Sequence, residues 1–186
     1  KTNDDNRTLG LPRREMELSN YIDTIPDFPR DGVAFKDITP LLRDQTAYSF
    51  ALDKIEEKFS GTKIDYIAGI EARGFLFASA LADRLNCGLI PVRKAGKLPG
   101  DVLTEKYQLE YGSAALEIRK DSVPSGARVL IVDDVLATGG TAICAANLFQ
   151  EIGADLVGFA FIISLSFLKG EQKLDAYRTV ILVRYE

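Results

Sequence analysis

Asp133 and Asp134 are followed closely by a stretch of small residues, Ala137, Thr138, Gly139, Gly140 and Thr141. Ionised carboxylates are acceptor-only groups that suit the vicinal hydroxyls of a sugar. A glycine-rich turn ahead of a helix leaves backbone N–H groups free for a phosphate. Together the two features would fit a sugar phosphate. Each alone is weaker, because paired acids often form a solvated strand end and Thr-Gly-Gly-Thr turns are common in ordinary structure. A second group is cationic: Arg93, Lys94 and Lys97 fall close together on an otherwise acidic chain. With Arg73, which sits near a helix start where a cation is mildly unfavourable, they could clamp a leaving diphosphate. The plain alternative is a solvated basic turn.

The chain has no histidine. That removes Ser-His-Asp triads, Cys-His dyads and the usual zinc sets, so acid–base work falls to carboxylate, lysine, tyrosine or cysteine. A net charge of −4 argues against nonspecific nucleic-acid binding over the whole surface. Two isolated cysteines, Cys87 and Cys144, read as reduced thiols of a cytoplasmic protein. No apolar run is long enough to span a membrane. The residues 69–74 have the glycine spacing of a nucleoside-triphosphate loop, but Phe75 and Leu76 stand where Lys and Ser/Thr are needed.

The elements that must position these groups read as a single α/β domain with a mainly parallel sheet. Residues 1–15 lack a periodic apolar face and read as an N-terminal extension or expression remnant, with Met16 as the native start. Leu18, Tyr21, Ile22 and Ile25 recur at helical spacing up to Pro26. A helix is expected over 46–59, with Tyr48, Ala51, Leu52, Ile55 and Phe59 on one face. Strands are expected over 64–70, 89–92, 129–132, 156–165 and 179–183, with helices to about Leu85 and from about Thr141 to Ile152. Asp133 and Asp134 then fall at a strand end, where open parallel sheets bind ligands. Residues 102–107 and 115–118 fit an exposed hairpin or a long loop.

With these pieces assembled, the chain resembles the type I phosphoribosyltransferases, and among them the adenine-specific branch. The motif Val129-Leu-Ile-Val-Asp-Asp-Val-Leu-Ala-Thr-Gly-Gly-Thr141 is similar to the family signature for 5-phosphoribosyl 1-diphosphate. Four further segments match in order: Asp27-Phe-Pro with Gly32-Val-Ala-Phe-Lys-Asp-Ile38, Gly69-Ile-Glu-Ala-Arg-Gly-Phe-Leu-Phe77, Arg93-Lys-Ala-Gly-Lys-Leu-Pro-Gly100, and Leu109-Glu-Tyr-Gly112.

The resemblance implies the family fold over residues 16–186, with a small N-terminal hood and a flexible catalytic loop. It implies transfer of ribose 5-phosphate to N9 of adenine, giving AMP and pyrophosphate, in a purine-salvage role. Mg²⁺ would be carried mainly on the diphosphate, with no metal-ligating side chains of its own, and the protein would be a homodimer. Carried over residue by residue, Ala137, Thr138, Gly139, Gly140 and Thr141 would hold the 5′-phosphate, and Asp133 and Asp134 the ribose hydroxyls. Glu71, Ala72, Arg73, Arg93, Lys94 and Lys97 would engage the pyrophosphate, with backbone groups serving at the first two. Val33, Ala34, Phe35, Lys36 and Leu165 would surround adenine. Glu110 would be the general acid and base, with Tyr111 ordering its lid and Arg73 assisting catalysis. Two positions depart from the pattern: Lys36 where many relatives carry arginine, and Ser164 where glutamate is common.

Two other readings were open. A 6-oxopurine enzyme would commonly place a lysine near the base, and residues 159–169 offer no convincing equivalent. A regulator that senses the ribosyl diphosphate without turnover would carry a DNA-binding domain and lack the cationic clamp.

Overall fold

The structure, a computed structural model, describes residues 16–108 and 113–186. Its packing divides between Ala47 and Tyr48. In the N-terminal unit, Leu18–Tyr21 makes one 3-10 turn, and β1 (Asp23–Ile25) pairs antiparallel with β2 (Phe35–Asp37). This corrects the helix expected up to Pro26. Leu18 and Ile22 are buried, but Ile25 is 40% exposed. Proline disfavours helical backbone in the residue before it, and here Ile25 instead pairs with Phe35. The short helix α1 (Thr39–Arg43) follows Asp37, whose carboxylate accepts from the Thr39 amide at 2.9 Å and its hydroxyl at 2.6 Å.

Helix α2 (Gln45–Lys58) straddles the division. The Asp44 carboxylate accepts from the Thr46 and Ala47 amides at its start, satisfying donors that a helix leaves open. Ala51, Leu52, Ile55 and Phe59 are buried along the face expected from their spacing.

The C-terminal unit contains β3 (Tyr66–Ile70), α3 (Gly74–Arg84), β4 (Gly88–Lys94), β5 (Val102–Gln108), β6 (Ser113–Arg119), β7 (Arg128–Leu136), α4 (Gly140–Glu151), β8 (Asp155–Leu165) and β9 (Thr179–Tyr185). They form a seven-stranded sheet in the order β5-β6-β4-β3-β7-β8-β9. The five strands from β4 to β9 run parallel, and β6 and β5 add antiparallel at one edge. Strand β7 is buried on both faces: Val129 and Ile131 join the core against α4, while Leu130 and Val132 are equally inaccessible. Such two-sided burial produces an unbroken apolar run rather than alternation.

Near the candidate residues the elements differ from expectation in three places. β7 continues through Asp133 and Asp134 to Leu136, because β8 extends far enough to supply ladder partners such as Ile163 and Ser164. Arg93 and Lys94 are the last residues of β4 instead of following it, since β6 pairs with them through Glu117 and Leu116. Strands β5 and β6 pair antiparallel as part of the sheet, with Leu116 and Ile118 buried. Both cysteines are free thiols, and burial pushes Cys144 up to about 11. Among the described residues, no helix is long and apolar enough to cross a membrane.

Close approach of α3 to the sheet depends on glycine at position 69, where a Cβ would lie 2.6 Å from the Ala78 Cβ. Gly69→Ala should therefore lower unfolding free energy by about 1–3 kcal/mol. Urea denaturation checks this, and an unchanged midpoint would remove the steric argument.

Candidate active site

Register brings several of the candidate residues to one end of the central strands. Ile70 pairs with Val92, and Gly69 with Val132. Glu71 and Arg93 consequently lie at the carboxyl ends of β3 and β4, and Asp133 lies where β7 runs on past its pairing with β3, at the usual ligand crevice of such a sheet.

The cations meet on Glu71. Its carboxylate accepts from Lys97 Nζ at 2.6 Å, Arg93 Nε at 3.1 Å and the Lys94 backbone amide at 3.1 Å. Arg93 also donates to the Lys97 carbonyl at 3.2 Å. Lys97 foremost, with the Lys94 amide and Arg93, pulls the Glu71 carboxyl down to about 2 against the opposing effect of desolvation. Lys94 thus contributes a backbone N–H here, while its side chain is exposed. The turn bearing Lys97 is braced from below by buried Glu117, which accepts from the Gly96 amide at 2.9 Å and the Thr104 hydroxyl at 3.1 Å. The peptide between Glu71 and Ala72 is cis, and Ala72 is exposed.

The adjacent acids face different neighbours, as strand alternation requires. Asp134 is 5% exposed and ion-paired to Arg73 Nε at 2.7 Å. Asp133 lines a cavity of about 60 Å³ together with Ala137, Thr138, Gly139, Thr141 and Phe161. Burial, and then the Asp134 charge, push the Asp133 carboxyl well above the usual range. Burial also raises Asp134, and the Arg73 guanidinium offsets part of that rise. Gly74 permits this arrangement at the start of α3, since a Cβ there would meet Asp133 Oδ1 at 2.8 Å.

Residues 137–141 form the expected turn into α4, with Gly139 left-handed at φ 77° as its cap. Space for that backbone comes from Gly170: a Cβ on Gly139 would lie 2.8 Å from the Gly170 carbonyl oxygen, and one on Gly170 would collide with the Ala137 carbonyl. Gly170 begins the second of two 3-10 turns after β8, Ser166–Leu168 and Gly170–Leu174. Glu171 anchors them, accepting from Ser164 at 2.7 Å, Ser166 at 3.1 Å and Arg184 at 3.2 Å. A carboxylate thus reaches the position of Ser164 from seven residues further along the chain. Leu165 ends β8 beside it, paired with Tyr185.

Sequence reasoning missed Phe161, Gly170 and Glu171. Phe161 looks like any other core residue in its apolar run. The bracing role of Glu171 has no motif, because it depends on a fold-back after β8. Of the expected adenine residues, Val33, Ala34, Phe35 and Lys36 belong to the N-terminal unit. There Phe35 packs edge-on against Phe28, with ring centroids 5.2 Å apart, and Lys36 Nζ donates to the Thr24 hydroxyl at 2.8 Å. Glu110 and Tyr111 lie outside the described residues.

Two outcomes follow from this geometry. Gly139→Val should abolish binding of ribose 5-phosphate in calorimetry, because a side chain would force the loop off Gly170; normal affinity would refute the loop assignment. Arg73→Met should destabilise the protein by up to about 3 kcal/mol. The sign of its pH dependence comes from Asp134. Its folded carboxyl is raised, so ionising it costs stability as pH rises, and Arg73 offsets that cost. The loss should be larger near about pH 7 than near about pH 4, and equal losses in thermal melts would rule out the pairing as the cause.

The phosphoribosyl transferase domain family matches residues 42–183. The adenine phosphoribosyltransferase of Gloeobacter violaceus is 50% identical over 171 residues, covering 91% of this chain and all of that protein. The crystal structure of adenine phosphoribosyltransferase from Rhodothermus marinus superposes with a TM-score of 0.87 at 43% identity, covering 90% of this chain and 96% of the other. That of the Saccharomyces cerevisiae enzyme, complexed with adenine and an imino-altritol bisphosphate, gives 0.81 at 42% identity, covering 89% and 95%. The chain belongs to the phosphoribosyltransferase family and, within it, to the adenine phosphoribosyltransferases.

Proposed function

We propose that this chain transfers the 5-phosphoribosyl group of its diphosphate to N9 of adenine, releasing pyrophosphate and forming AMP. The observation that carries this reading is the convergence of a cationic cluster, a carboxylate pair and a glycine turn at the ends of β4, β3 and β7. The choice of adenine rests on likeness to enzymes of that name, including one bound to adenine.

The cavity of Asp133 and residues 137–141 receives the 5′-phosphate and ribose, through backbone amides and the hydroxyls of Thr138 and Thr141. Asp133 is the better placed acid for a ribose hydroxyl, since Asp134 is already matched by Arg73. Arg93, Lys97 and the amide of Lys94 take the leaving diphosphate, with Arg73 nearby in sequence to the same strand end. As that group departs, positive charge builds on the ribose ring. No nucleophilic side chain is needed; orientation, charge compensation and exclusion of water supply the rate. Glu110 takes the adenine proton in synthesis and returns it in pyrophosphorolysis, with Tyr111 ordering the same loop. Leu165 flanks the base.

Mg²⁺ fits this donor set as a passenger on the diphosphate. Glu71 and Asp134 are committed to cations of the protein, and burial with a like-charged neighbour leaves Asp133 favouring any added positive charge. When bound, the ion would keep several waters and would supply positive charge to the leaving group. Assembly as a homodimer in the cytoplasm completes the reading, supported by the family likeness and by two unpaired, weakly acidic thiols.

Steady-state assays with adenine, hypoxanthine and guanine test the substrate: adenine should be strongly preferred, and a 6-oxopurine preference would overturn it. Glu110→Ala should cut turnover about 10²–10⁴-fold while sparing phosphate binding. Unchanged turnover would remove Glu110 from the chemistry.

A further inference from the structure

A site for a polyanion is expected to present bare cations, yet here a carboxylate sits among them. Glu71 uses both oxygens: Oε1 holds Lys97 Nζ, and Oε2 holds Arg93 Nε and the Lys94 amide. Its side chain is only 8% exposed, whereas those of Arg93 and Lys97 are 33% and 49% exposed. The carboxylate therefore lies beneath the two cations, which retain an open side. A carboxylate and a diphosphate oxygen ask for the same donors, namely guanidinium, ammonium and backbone amide.

We infer that Glu71 is a built-in counter-anion of the diphosphate site, a positioning residue whose carboxylate holds Arg93, Lys97 and the Lys94 amide assembled and competes with diphosphate for them. The inference rests on the assignment of these cations to the diphosphate. Without Glu71 the cations would repel one another until a diphosphate gathers them. With it, their charges are partly satisfied before any ligand arrives. An incoming diphosphate must take over these donors, weakening their bonds to Glu71, and the carboxylate regains them as pyrophosphate leaves. Glu71 thereby limits product affinity and eases release, and its cost is borne as weaker binding of every diphosphate. The cis peptide to Ala72 is adjacent, but the competition needs only the side-chain geometry described above.

The test is calorimetric titration of inorganic pyrophosphate, without added metal, into the wild-type chain and the Glu71→Gln, Glu71→Ser and Arg93→Ala variants. Glu71→Gln keeps the shape and removes the competing charge, so its pyrophosphate Kd should fall about tenfold, the scale of one charged hydrogen bond. Glu71→Ser carries the same expectation and sustains the test should the glutamine variant not fold. A second readout separates competition from general loosening. In the wild type, a Glu71 displaced by pyrophosphate can take up a proton as pH falls, relieving repulsion. The affinity ratio between wild type and Glu71→Gln should therefore shrink between about pH 8 and about pH 5. Turnover of Glu71→Gln should fall where pyrophosphate release limits the rate. Equal or weaker pyrophosphate binding in both Glu71 variants, with Arg93→Ala weakened as expected, would overturn the counter-anion role and leave the clamp assignment standing. Wild-type binding that is unaffected by Arg93→Ala would instead overturn the clamp assignment and this inference with it.

Discussion

Parallel pairing among β4, β3 and β7 is the constraint on which the rest depends. Because Ile70 is level with Val92 and Gly69 with Val132, three segments far apart in the chain present their polar residues along one edge. The sheet below that edge is apolar on both faces, so the strands cannot slip by one residue without moving buried side chains into the wrong layer. Site geometry is thereby inherited from hydrophobic register. Gly69 and Gly74 extend the same logic upward, since each lets α3 lie against the strands closely enough for Arg73 to reach Asp134.

Charge is organised in matched pairs instead of as a uniform positive field. Glu71 faces Arg93 and Lys97, Asp134 faces Arg73, and Glu117 secures the backbone of the Lys97 turn. Glu117, Asp134 and Ser164 are the buried polar residues among those described, and all three support segments at this edge. Buried polar groups are informative because the interior tolerates them only with partners. Asp133, beside Asp134 on the strand, is the acid that borders the cavity.

Much of this was legible in the sequence because it is written in local pattern. The unbroken run of residues 129–132 announced a strand buried on both faces, and the glycines at 139 and 140 announced the turn after it. Helix α2 followed from its apolar face. Interactions that hinge on distant partners were not legible. The 18–25 segment has helical spacing, but Pro26 and the partner strand β2 made its second half extended. Strand β7 outran its apolar residues because β8 was long enough to pair with it. The side-chain work of Glu71 was hidden as well. Its motif suggests a backbone role, and only the arrival of Lys97 from 26 residues away makes its carboxylate a hub.

The bracing of the 137–141 turn by Gly170 has a consequence for how this chain can vary. Leu165, proposed to flank the base, and Gly170, which supports the turn proposed for the 5′-phosphate, are separated only by the first 3-10 turn and Lys169. On the proposed assignment, one short stretch sets the distance between the base and the 5′-phosphate of a nucleotide. Surface loops ordinarily tolerate insertions, but lengthening this one by a residue would displace a wall of the base pocket relative to the phosphate seat. The segment behaves as a ruler, and its length should be under stricter constraint than its composition.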